Sequence, residues 1–471
     1  MKKPLLVIQP LRMGDLILSF PLFLWLSRKF PGHPIWVAAQ QTFYEQLRPV
    51  GPAVQYFSLS HSYEKLRTTP YELVINLSHD STSAKLAAEV KSEELFGPVC
   101  DAHGELHVRG FWQLYRCALV NCNRHNAFHW ADLNAMDIIP QDQMQETVWS
   151  PPRSLGGTSS RRVGVFLGAS EALKRPCLEF WEELCELLYA RKIFPVLLGG
   201  PAEQAFATEL ASRLSFPALN LAGKQSLSEL VMTGQGLNML MTPDTGPMHL
   251  AAWSGLKVLN LSIGNVNCME TGPYQPGHYV LRPAMSCAGC WTCRRTPSGL
   301  CHRKLKPQAV AYLASQLCRD RVPSGQSAAL AGLELWKSSR SEQGLYALEP
   351  CRSTEARSRA LCSQFWQEFW LAFSGRGSAE LPEKTFVHLR EKYPALSERM
   401  LLGFARFGRD MNRILRFGST AVQKNFWQQG APVVSPLRSF AQMAMSNDNW
   451  SVQSRRDAVR CAEMLVSICQ H

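Results

Sequence analysis

The stretch that decides the fold is T-P-D-T-G-P-M-H-L-A-A, at residues 242–252. It follows a short apolar run at 237–241, which predicts a strand, and it opens a predicted helix over 247–254. Gly246 allows close approach of the backbone, and Pro247 suits a first helical turn. Unpaired N–H groups at such a helix start attract anions, so the stretch predicts a place for a diphosphate.

Two side chains of this stretch have both a functional and a structural interpretation. Asp244, at the strand end, is placed to accept hydrogen bonds from a ribose or sugar hydroxyl, and His249 is within reach of the phosphate or the sugar. Alternatively, Asp244 or Thr245 caps the helix and His249 is a core histidine. For a motif found alone the structural interpretation is favoured, because capping residues precede most helices.

Apolar runs and amphipathic segments alternate on both sides of a break in composition. The runs lie at 5–8, 35–39 and 73–77, and then at 163–167, 194–200, 237–241 and 258–261. Short apolar runs between helices indicate parallel strands covered on both faces. We therefore predict an α/β chain with a Rossmann-like lobe at 1–150, a Pro/Gly/Ser-rich linker at 151–162 and a second Rossmann-like lobe at 163–320.

The stretch at 242–252 resembles the D-T-G-x-x-H-x-A-A motif of the ADP-heptose:lipopolysaccharide heptosyltransferases, which are glycosyltransferase family 9. Further pieces follow in the order of that family, and the resemblance covers residues 4–318. They are M-G-D-L at 13–16, L-G-A-S at 167–170 with Lys174-Arg175, G-G-P-A-E at 199–203, L-A-G-K with S-L-S-E-L at 221–230, and T-G-P-Y at 271–274. Several ordered motifs are more specific than any one alone.

The resemblance implies a GT-B fold, in which two Rossmann-like lobes face each other across a cleft. It also implies an inverting, metal-independent glycosyltransferase that moves a sugar, heptose from ADP-heptose, onto lipopolysaccharide core or another cell-envelope glycan. Departures from the family at Pro176-Cys177 and Gly264-Asn265-Val266 flank the donor pocket, so another nucleotide sugar stays open. Two alternatives also stay open: a catalytically silent binding or scaffold protein, and a heptosyltransferase directed at protein.

Residue roles follow from the same resemblance. Asp15 falls on the proposed general base, and a carboxylate on the acceptor side is what an inverting transfer needs. Lys174 falls on the lysine that meets the diphosphate, where a cation stabilises the leaving group. The remaining donor-binding residues are predicted to be Ser170, Asp244, Thr245, Gly246 and His249. The structural alternatives are a helix cap for Asp15 and an exposed cationic pair for Lys174-Arg175.

Cysteines cluster in the second lobe. Cys287, Cys290, Cys293 and Cys301 have the spacing C-x2-C-x2-C-x7-C. Four thiolates can close a tetrahedral site, so a structural zinc or iron ion is one interpretation. A reduced packing cluster and an oxidation-prone loop are the others. No cofactor is expected to be needed for the transfer itself.

Net charge and hydropathy limit the classes of partner and the location to be expected. The chain has 471 residues and a formal net charge of +12, which favours anionic partners such as a phosphorylated glycolipid or an acidic membrane face. Nucleic acid is an unlikely partner, because no recognised binding module occurs. We see no apolar run that would span a bilayer and no convincing signal peptide, so we expect a cytoplasmic protein, with peripheral contact to the inner face of the membrane left open.

Residues 325–471 lack strand-like runs and indicate a mostly helical extension of unknown role. One predicted helix, at 399–417, places four arginines on one side and Phe404, Phe407, Met411 and Ile414 on the other. The arginines are Arg406, Arg409, Arg413 and Arg416. Either the helix lies on an anionic membrane, or it packs on neighbouring helices with a solvated basic face. The second interpretation is favoured, because Gly403 and Gly408 weaken an isolated helix.

Overall fold

A computed structural model describes residues 2–155, 161–290, 292–295, 299–322, 327–351, 357–422, 426–428 and 430–470. Two largely parallel sheets organise the chain, one built from residues 5–109 and the other from 161–350. The predicted α/β architecture with two Rossmann-like lobes is therefore confirmed. The predicted linker at 151–162 includes residues 156–160, which lie outside the described residues.

The first sheet has the strand order β3-β2-β1-β4-β5-β6, with only β5 and β6 antiparallel. β1 is buried at all four positions, which is why its sequence is a continuous apolar run. The strands of this sheet are β1 Leu5–Ile8, β2 Ile35–Ala39, β3 Gln55–Ser58, β4 Pro70–Asn76, β5 Lys91–Cys100 and β6 Leu106–Arg109. The helices of this lobe are α1 Met13–Ile17, α2 Phe20–Lys29, α3 Gln41–Leu47, α4 Tyr63–Thr68, α5 Ser81–Glu89, α6 Phe111–Ala118, α7 Trp130–Leu133 and α8 Gln141–Gln145.

The second sheet has the order β14-β13-β12-β11-β10-β7-β8-β9. Its strands are β7 Arg161–Phe166, β8 Ile193–Leu198, β9 Leu219–Asn220, β10 Met239–Thr242, β11 Val258–Leu261, β12 Tyr279–Pro283, β13 Leu333–Arg340 and β14 Tyr346–Pro350. Its helices are α9 Leu178–Tyr189, α10 Gln204–Arg213, α11 Leu227–Gln235, α12 Gly246–Trp253, α13 Cys268–Thr271, α14 Leu300–Lys304 and α15 Pro307–Leu317. In both lobes the loops that follow the carboxyl ends of the parallel strands carry the predicted site residues, as this topology favours.

Strands β13 and β14 were not predicted. They extend the second sheet as an antiparallel hairpin beside β12. The region after residue 325 therefore contributes two strands before it becomes helical. The sequence L-E-L-W-K-S-S-R of β13 is half-buried and mostly polar at its second half, so it lacks the continuous apolar run that marks the parallel strands.

Five helices follow as a C-terminal bundle: α16 Ser358–Phe373, α17 Glu380–Lys392, α18 Pro394–Phe417, α19 Ser435–Asn447 and α20 Val452–Gln470. The bundle shares one hydrophobic core with the first lobe. The ring of Tyr115 in α6 lies 5.4 Å from that of Trp370 in α16, and the ring of Phe111 lies 5.2 Å from that of Phe440 in α19. The extension is thus built onto the first lobe.

Helix α18 settles which side of the predicted 399–417 helix is buried. Phe404, Phe407, Met411 and Ile414 are all buried in the bundle, and the four arginines are exposed. The packing half of the favoured interpretation is therefore confirmed, because the apolar side of the helix faces the bundle. Among the described residues, no helix combines the length and apolar character needed to cross a bilayer.

Candidate active site

Asp15 lies in α1, which begins five residues after the end of β1. Its Oδ2 accepts a hydrogen bond from the backbone N–H of Arg12 at 3.2 Å, so one oxygen stabilises the helix start. Its Oδ1 has no hydrogen-bond partner among the described residues, and the side chain is half-buried. The capping role and a free carboxylate oxygen therefore coexist in one residue.

Helix α1 of the first lobe lies directly against the start of α12 in the second. A Cβ on Gly14 would lie 3.6 Å from Cδ2 of His249 and 3.7 Å from Cα of Gly246. A Cβ on Gly246 would lie 2.6 Å from the methyl carbon of Met13. These two glycines allow the helices to approach closely. The structure thereby brings Asp15 and the 242–252 stretch to the same junction between the lobes.

Asp244 is the centre of a buried charged group at this junction. The Nζ of Lys174 lies 3.6 Å from its Oδ2, and the Nε2 of His249 lies 3.8 Å from its Oδ1. The hydroxyl of Thr271 donates to Oδ2 at 2.9 Å. Because the side chain of Asp244 is only 8% exposed, water screens its charge weakly.

Lys174 ends a 3-10 helix, Ala172–Lys174, that follows β7. Besides Asp244, its Nζ lies 3.8 Å from Oε1 of Glu171. The lysine is mostly buried, with 15% of its side chain exposed. The alternative of an exposed cationic pair is thus wrong for Lys174, whereas Arg175 beside it is exposed.

His249 is buried on the first turn of α12. Burial lowers the pKa of its imidazole, and the nearby Lys174 lowers it further, while the carboxylates of Asp244 and Asp15 raise it. Its Nδ1 has no hydrogen-bond partner among the described residues. A buried, uncharged imidazole with a free ring nitrogen can donate to or accept from a ligand atom.

Thr245 and Gly246 form the start of α12. Thr245 is the N-cap in an extended conformation, and its side chain makes no capping hydrogen bond. Pro247 occupies the first turn and has no N–H to leave unpaired. The N–H groups of Met248 and His249 bond to the carbonyl of Thr245, so the backbone donors left at this helix start are those of Thr245 and Gly246, which suits an anion.

Ser170 is exposed in the bend between β7 and the Lys174 turn, with no hydrogen-bond partner among the described residues. It lies on the same loop as Lys174, but the structure does not bring it into the charged group. Its predicted role in donor binding stays a prediction.

Glu203 was not among the predicted site residues. Its carboxylate lies over the ends of β7 and β8, where a Cβ on Gly168 would approach it to 2.5 Å, and its Oε2 accepts from the N–H of Gly200 at 2.9 Å. A carboxylate at the carboxyl edge of such a sheet is well placed to bind ribose hydroxyls. The signal was present in the G-G-P-A-E turn, which was read only as a family motif.

Arg116, in the last turn of α6, was also missed. It is buried, donates to Oδ1 of Asn134 at 3.0 Å and packs 4.7 Å from the ring centre of Trp130. Burial lowers the pKa of its guanidinium, and the carboxylate of Asp15 raises it. A cation therefore lies near Asp15, and no local sequence pattern marks it, because the two residues are a hundred positions apart.

The T-G-P-Y turn at 271–274 bonds the second lobe to the first. Thr271 donates to Asp244, the carbonyl of Gly272 lies 3.0 Å from Nε2 of His129, and the hydroxyl of Tyr274 donates to Asp132 at 2.5 Å. His129 and Asp132 belong to the first lobe and are fully buried. The motif thus fixes the orientation of the lobes next to the charged group.

Glu270 extends this contact. Its carboxylate accepts from the side-chain amides of Asn123 at 2.8 Å and Asn126 at 3.0 Å, both in the first lobe. Burial raises the pKa of this carboxyl to about 7. The hydrogen bonds from the amides act against this rise, and the nearby carboxylate of Asp244 adds to it. We call the contacts of Asn123, Asn126, His129 and Asp132 with Glu270, Gly272 and Tyr274 the polar seam.

The four clustered cysteines line one cavity of about 30 Å³ beside the Lys174 turn. Cys301 accepts from the N–H of Gly264 at 3.4 Å, and the neighbouring His302 contacts the carbonyl of Leu173 through Nε2 at 2.7 Å. The cysteine loop therefore braces the turn that carries Lys174.

Metal binding by these cysteines is a separate question. Although all four are described, no three of their sulfurs lie within 4.8 Å of one another, whereas sulfurs on one zinc ion are about 3.8 Å apart. Burial and the neighbouring thiols raise the pKa of Cys290, which favours the uncharged thiol. This arrangement does not form a closed metal site, and the zinc or iron ion stays a prediction.

Comparisons with known proteins find similarity to glycosyltransferases over part of this chain. The family model described as glycosyltransferase family 9 (heptosyltransferase) matches residues 60–296. Lipopolysaccharide core heptosyltransferase OpsX of Haemophilus influenzae is 27% identical over 108 residues, which are 22% of this chain and 31% of that protein. The matched stretch thus spans about a third of that relative.

Two solved structures share the fold. ADP-heptose lps heptosyltransferase II of E. coli matches with a TM-score of 0.51 at 20% identity, over 68% of this chain and 99% of that one. A glycosyl transferase family 9 protein of Veillonella parvula DSM 2008 matches with a TM-score of 0.50 at 17% identity, over 68% and 98%. The predicted GT-B fold is confirmed, and each match leaves about a third of this chain uncovered.

Proposed function

The chain belongs to glycosyltransferase family 9, and on this premise we propose that it transfers heptose from ADP-heptose to a lipopolysaccharide-core or other phosphorylated cell-envelope glycolipid. The observation that carries the proposal is the junction of α1 with α12, where Asp15 of one lobe meets Asp244, Lys174 and His249 of the other. One side supplies a proton acceptor and the other supplies groups for a nucleotide diphosphate.

In the proposed reaction, an acceptor hydroxyl attacks the anomeric carbon of the donor sugar. Asp15 takes the hydroxyl proton as the new C–O bond forms. The bond from the anomeric carbon to the phosphate oxygen breaks, and the nucleoside diphosphate leaves with that electron pair. Attack from the face opposite the leaving group inverts the anomeric configuration.

The leaving group develops negative charge, which the second lobe is equipped to stabilise. Lys174 contributes a mostly buried cation, and the start of α12 contributes backbone donors and the Thr245 hydroxyl. These groups give the departing diphosphate its countercharge, so no metal ion is assigned a step. Binding of the diphosphate draws Lys174 from Asp244, and Asp244 then accepts from a sugar hydroxyl.

The rest of the donor site is assigned by position. Glu203 accepts from the ribose hydroxyls at the ends of β7 and β8, and His249 donates to a phosphate or sugar oxygen through its free nitrogen. Ser170 adds a hydroxyl from the loop before Lys174. We propose the cytoplasmic face of a membrane as the working location, since the donor is water-soluble and the acceptor is a lipid.

Nucleotide titration combined with a turnover assay tests the proposal. ADP should bind more tightly than GDP and UDP, and ADP should be released from ADP-heptose only when a heptose-deficient lipopolysaccharide core is added. Binding of ADP without transfer to that core, to other glycolipids or to protein would instead favour the scaffold alternative. Transfer to a protein alone would favour the protein-directed alternative.

A further inference from the structure

Helix α18 has one side buried in the bundle and one side whose residues are exposed. Its inner side is buried in the bundle by Phe404, Phe407, Met411 and Ile414, so the bundle needs nothing more from this helix. Its outer side carries exposed residues at intervals of three and four from Leu402 to Arg416, followed directly by the exposed Phe417. We call the following set the arginine stripe: Leu402, Arg406, Arg409, Arg413, Arg416 and Phe417.

The arginine stripe is straight and strongly cationic. Positions 402, 406, 409, 413 and 416 fall within one narrow face of a helix, and they extend over about 21 Å at 1.5 Å per residue. Arg409, Arg413 and Arg416 form no ion pair with any residue the structure describes. The acidic residue within this part of the helix, Asp410, turns inward to Arg438 at 2.9 Å. The positive charge of the stripe is therefore presented outward.

Large apolar side chains mark both ends of the stripe. Leu402 is 65% exposed and Phe417 is 64% exposed, which are the two highest exposures of a leucine or phenylalanine in the described chain. Such residues at the ends of a row of arginines suit a bilayer, where the guanidinium groups meet lipid phosphates and the apolar tips enter the interface. A flat anionic protein or a nucleic acid would gain less from the apolar ends.

We propose that the arginine stripe docks the protein on a membrane surface rich in anionic lipid. The helix binds with its polar side because its apolar side is already used inside the bundle. The bundle shares its core with the first lobe, so docking would fix the lobe that carries Asp15 relative to the membrane. The inference deepens the proposed function, which supplies a lipid acceptor, but it is measured without any transfer reaction.

Flotation of the full chain with lipid vesicles tests the proposal. The wild type should float with vesicles of phosphatidylcholine containing 30% phosphatidylglycerol, should not float with pure phosphatidylcholine, and should dissociate as salt is raised. Charge reversal at three positions, Arg409→Glu, Arg413→Glu and Arg416→Glu, should weaken binding by about 100-fold or more, since each cation near an anionic surface contributes about fivefold. Failure of the wild type to bind anionic vesicles would overturn the proposal.

A matched control reverses three exposed lysines elsewhere, Lys85→Glu, Lys91→Glu and Lys192→Glu. Net charge changes equally in both variants, so binding by the control should stay within about threefold of wild type. Equal losses in both variants would mean that net charge alone attracts the protein and would overturn the stripe as the docking surface. Leu402→Ser with Phe417→Ser should weaken binding without changing its salt dependence.

Two further measurements distinguish lipid binding from nucleic-acid binding, and the docking proposal from the proposed transfer reaction. Binding of the wild type to a DNA duplex more tightly than to the anionic vesicles would overturn lipid as the occupant. Transfer to a deacylated, water-soluble acceptor should be unchanged in the stripe variant. If that transfer is absent in the wild type as well, the proposed function fails while vesicle binding still decides the stripe.

Discussion

The first lobe makes two large contacts with the rest of the chain, and they differ in chemistry. Toward the second lobe it presents the polar seam, in which Asn126 donates to Glu270 and Asp132 accepts from Tyr274. Toward the bundle it presents an aromatic seam, formed by Phe111, Tyr115, Trp370 and Phe440. Both seams are buried, apart from the half-buried Phe111.

The difference has a physical consequence. Hydrogen bonds between buried groups are directional and costly to break, so a polar seam fixes the orientation of two lobes closely. Packed aromatic rings contribute mainly by burial and tolerate small shifts. We therefore expect changes near the polar seam to alter turnover and changes in the aromatic seam to alter stability.

The largest effect is expected at Asp15, which belongs to the lobe that the polar seam joins to the donor site. Asp15→Asn should reduce kcat by about 10²–10⁴-fold, because an amide cannot take the acceptor proton. The amide oxygen still accepts from the N–H of Arg12, so α1 should keep its start. Steady-state kinetics with ADP-heptose measures the loss, and ADP affinity measured by calorimetry should change by no more than about twofold.

Asp142 provides the control for this substitution. It is also an acidic residue in the first turn of a short helix of the first lobe, and it is exposed. Asp142→Asn should leave kcat unchanged. Near-normal turnover in Asp15→Asn would remove Asp15 as the base and leave the helix-start role as its explanation.

The aromatic seam should show the opposite profile. Trp370 is fully buried, 5.4 Å from the ring of Tyr115 and 4.8 Å from that of Phe440. Trp370→Ala should lower the free energy of unfolding by about 3–5 kcal/mol, because it removes a buried ring and leaves a cavity in the shared core. Chemical denaturation checks this, with Phe417→Ala as the exposed control that should change stability by less than about 0.5 kcal/mol.

The same experiment tests whether the bundle and the first lobe are one unit. A shared core predicts that tryptophan fluorescence and circular dichroism follow a single transition. A separate early transition of the bundle, with the first lobe still folded, would show that the aromatic seam does not join the two into one folding unit.

The sequence allowed prediction of those parts of the molecule that depend on local residue patterns. The two lobes follow from apolar runs that buried parallel strands require, and the Asp244–Gly246 helix start follows from the chemistry of its residues. Arg116 and Glu270 could not be found this way, because each acquires its role from partners more than a hundred residues distant. β13 was missed because an antiparallel strand that is only partly buried lacks the continuous apolar run that the rule looks for.

A substitution at Lys174 tests the charged group around Asp244, at the proposed donor site. Lys174→Ala should lower kcat/KM by about 100-fold, since it removes a cation from the diphosphate and leaves the buried Asp244 carboxylate without its closest counterion. ADP affinity should fall as well. Lys224→Ala, an exposed lysine of the same lobe, should have no effect on either quantity, and unchanged kinetics for Lys174→Ala would show that the phosphate site lies elsewhere.

The smallest expected effect is a pH dependence of the polar seam. The pKa of Glu270 is raised to about 7 in the folded chain, from about 4.5 when unfolded. The folded state therefore holds the proton more tightly, and the stability this contributes is complete below pH 4.5 and is lost as the pH rises through 7. Glu270→Gln should remove this loss, on the order of 3 kcal/mol, because an amide does not ionise, while its oxygen keeps one acceptor for Asn123 or Asn126. The free energy of unfolding measured from pH 4.5 to 7.5 should thus fall less steeply in the variant than in the wild type, whereas Glu45→Gln, at an exposed helix position, should follow the wild type. Parallel curves for Glu270→Gln and wild type would mean that the seam glutamate is ionised throughout, held by the amides of the first lobe as a permanent charge, and the seam would then owe its rigidity to charge-assisted hydrogen bonds.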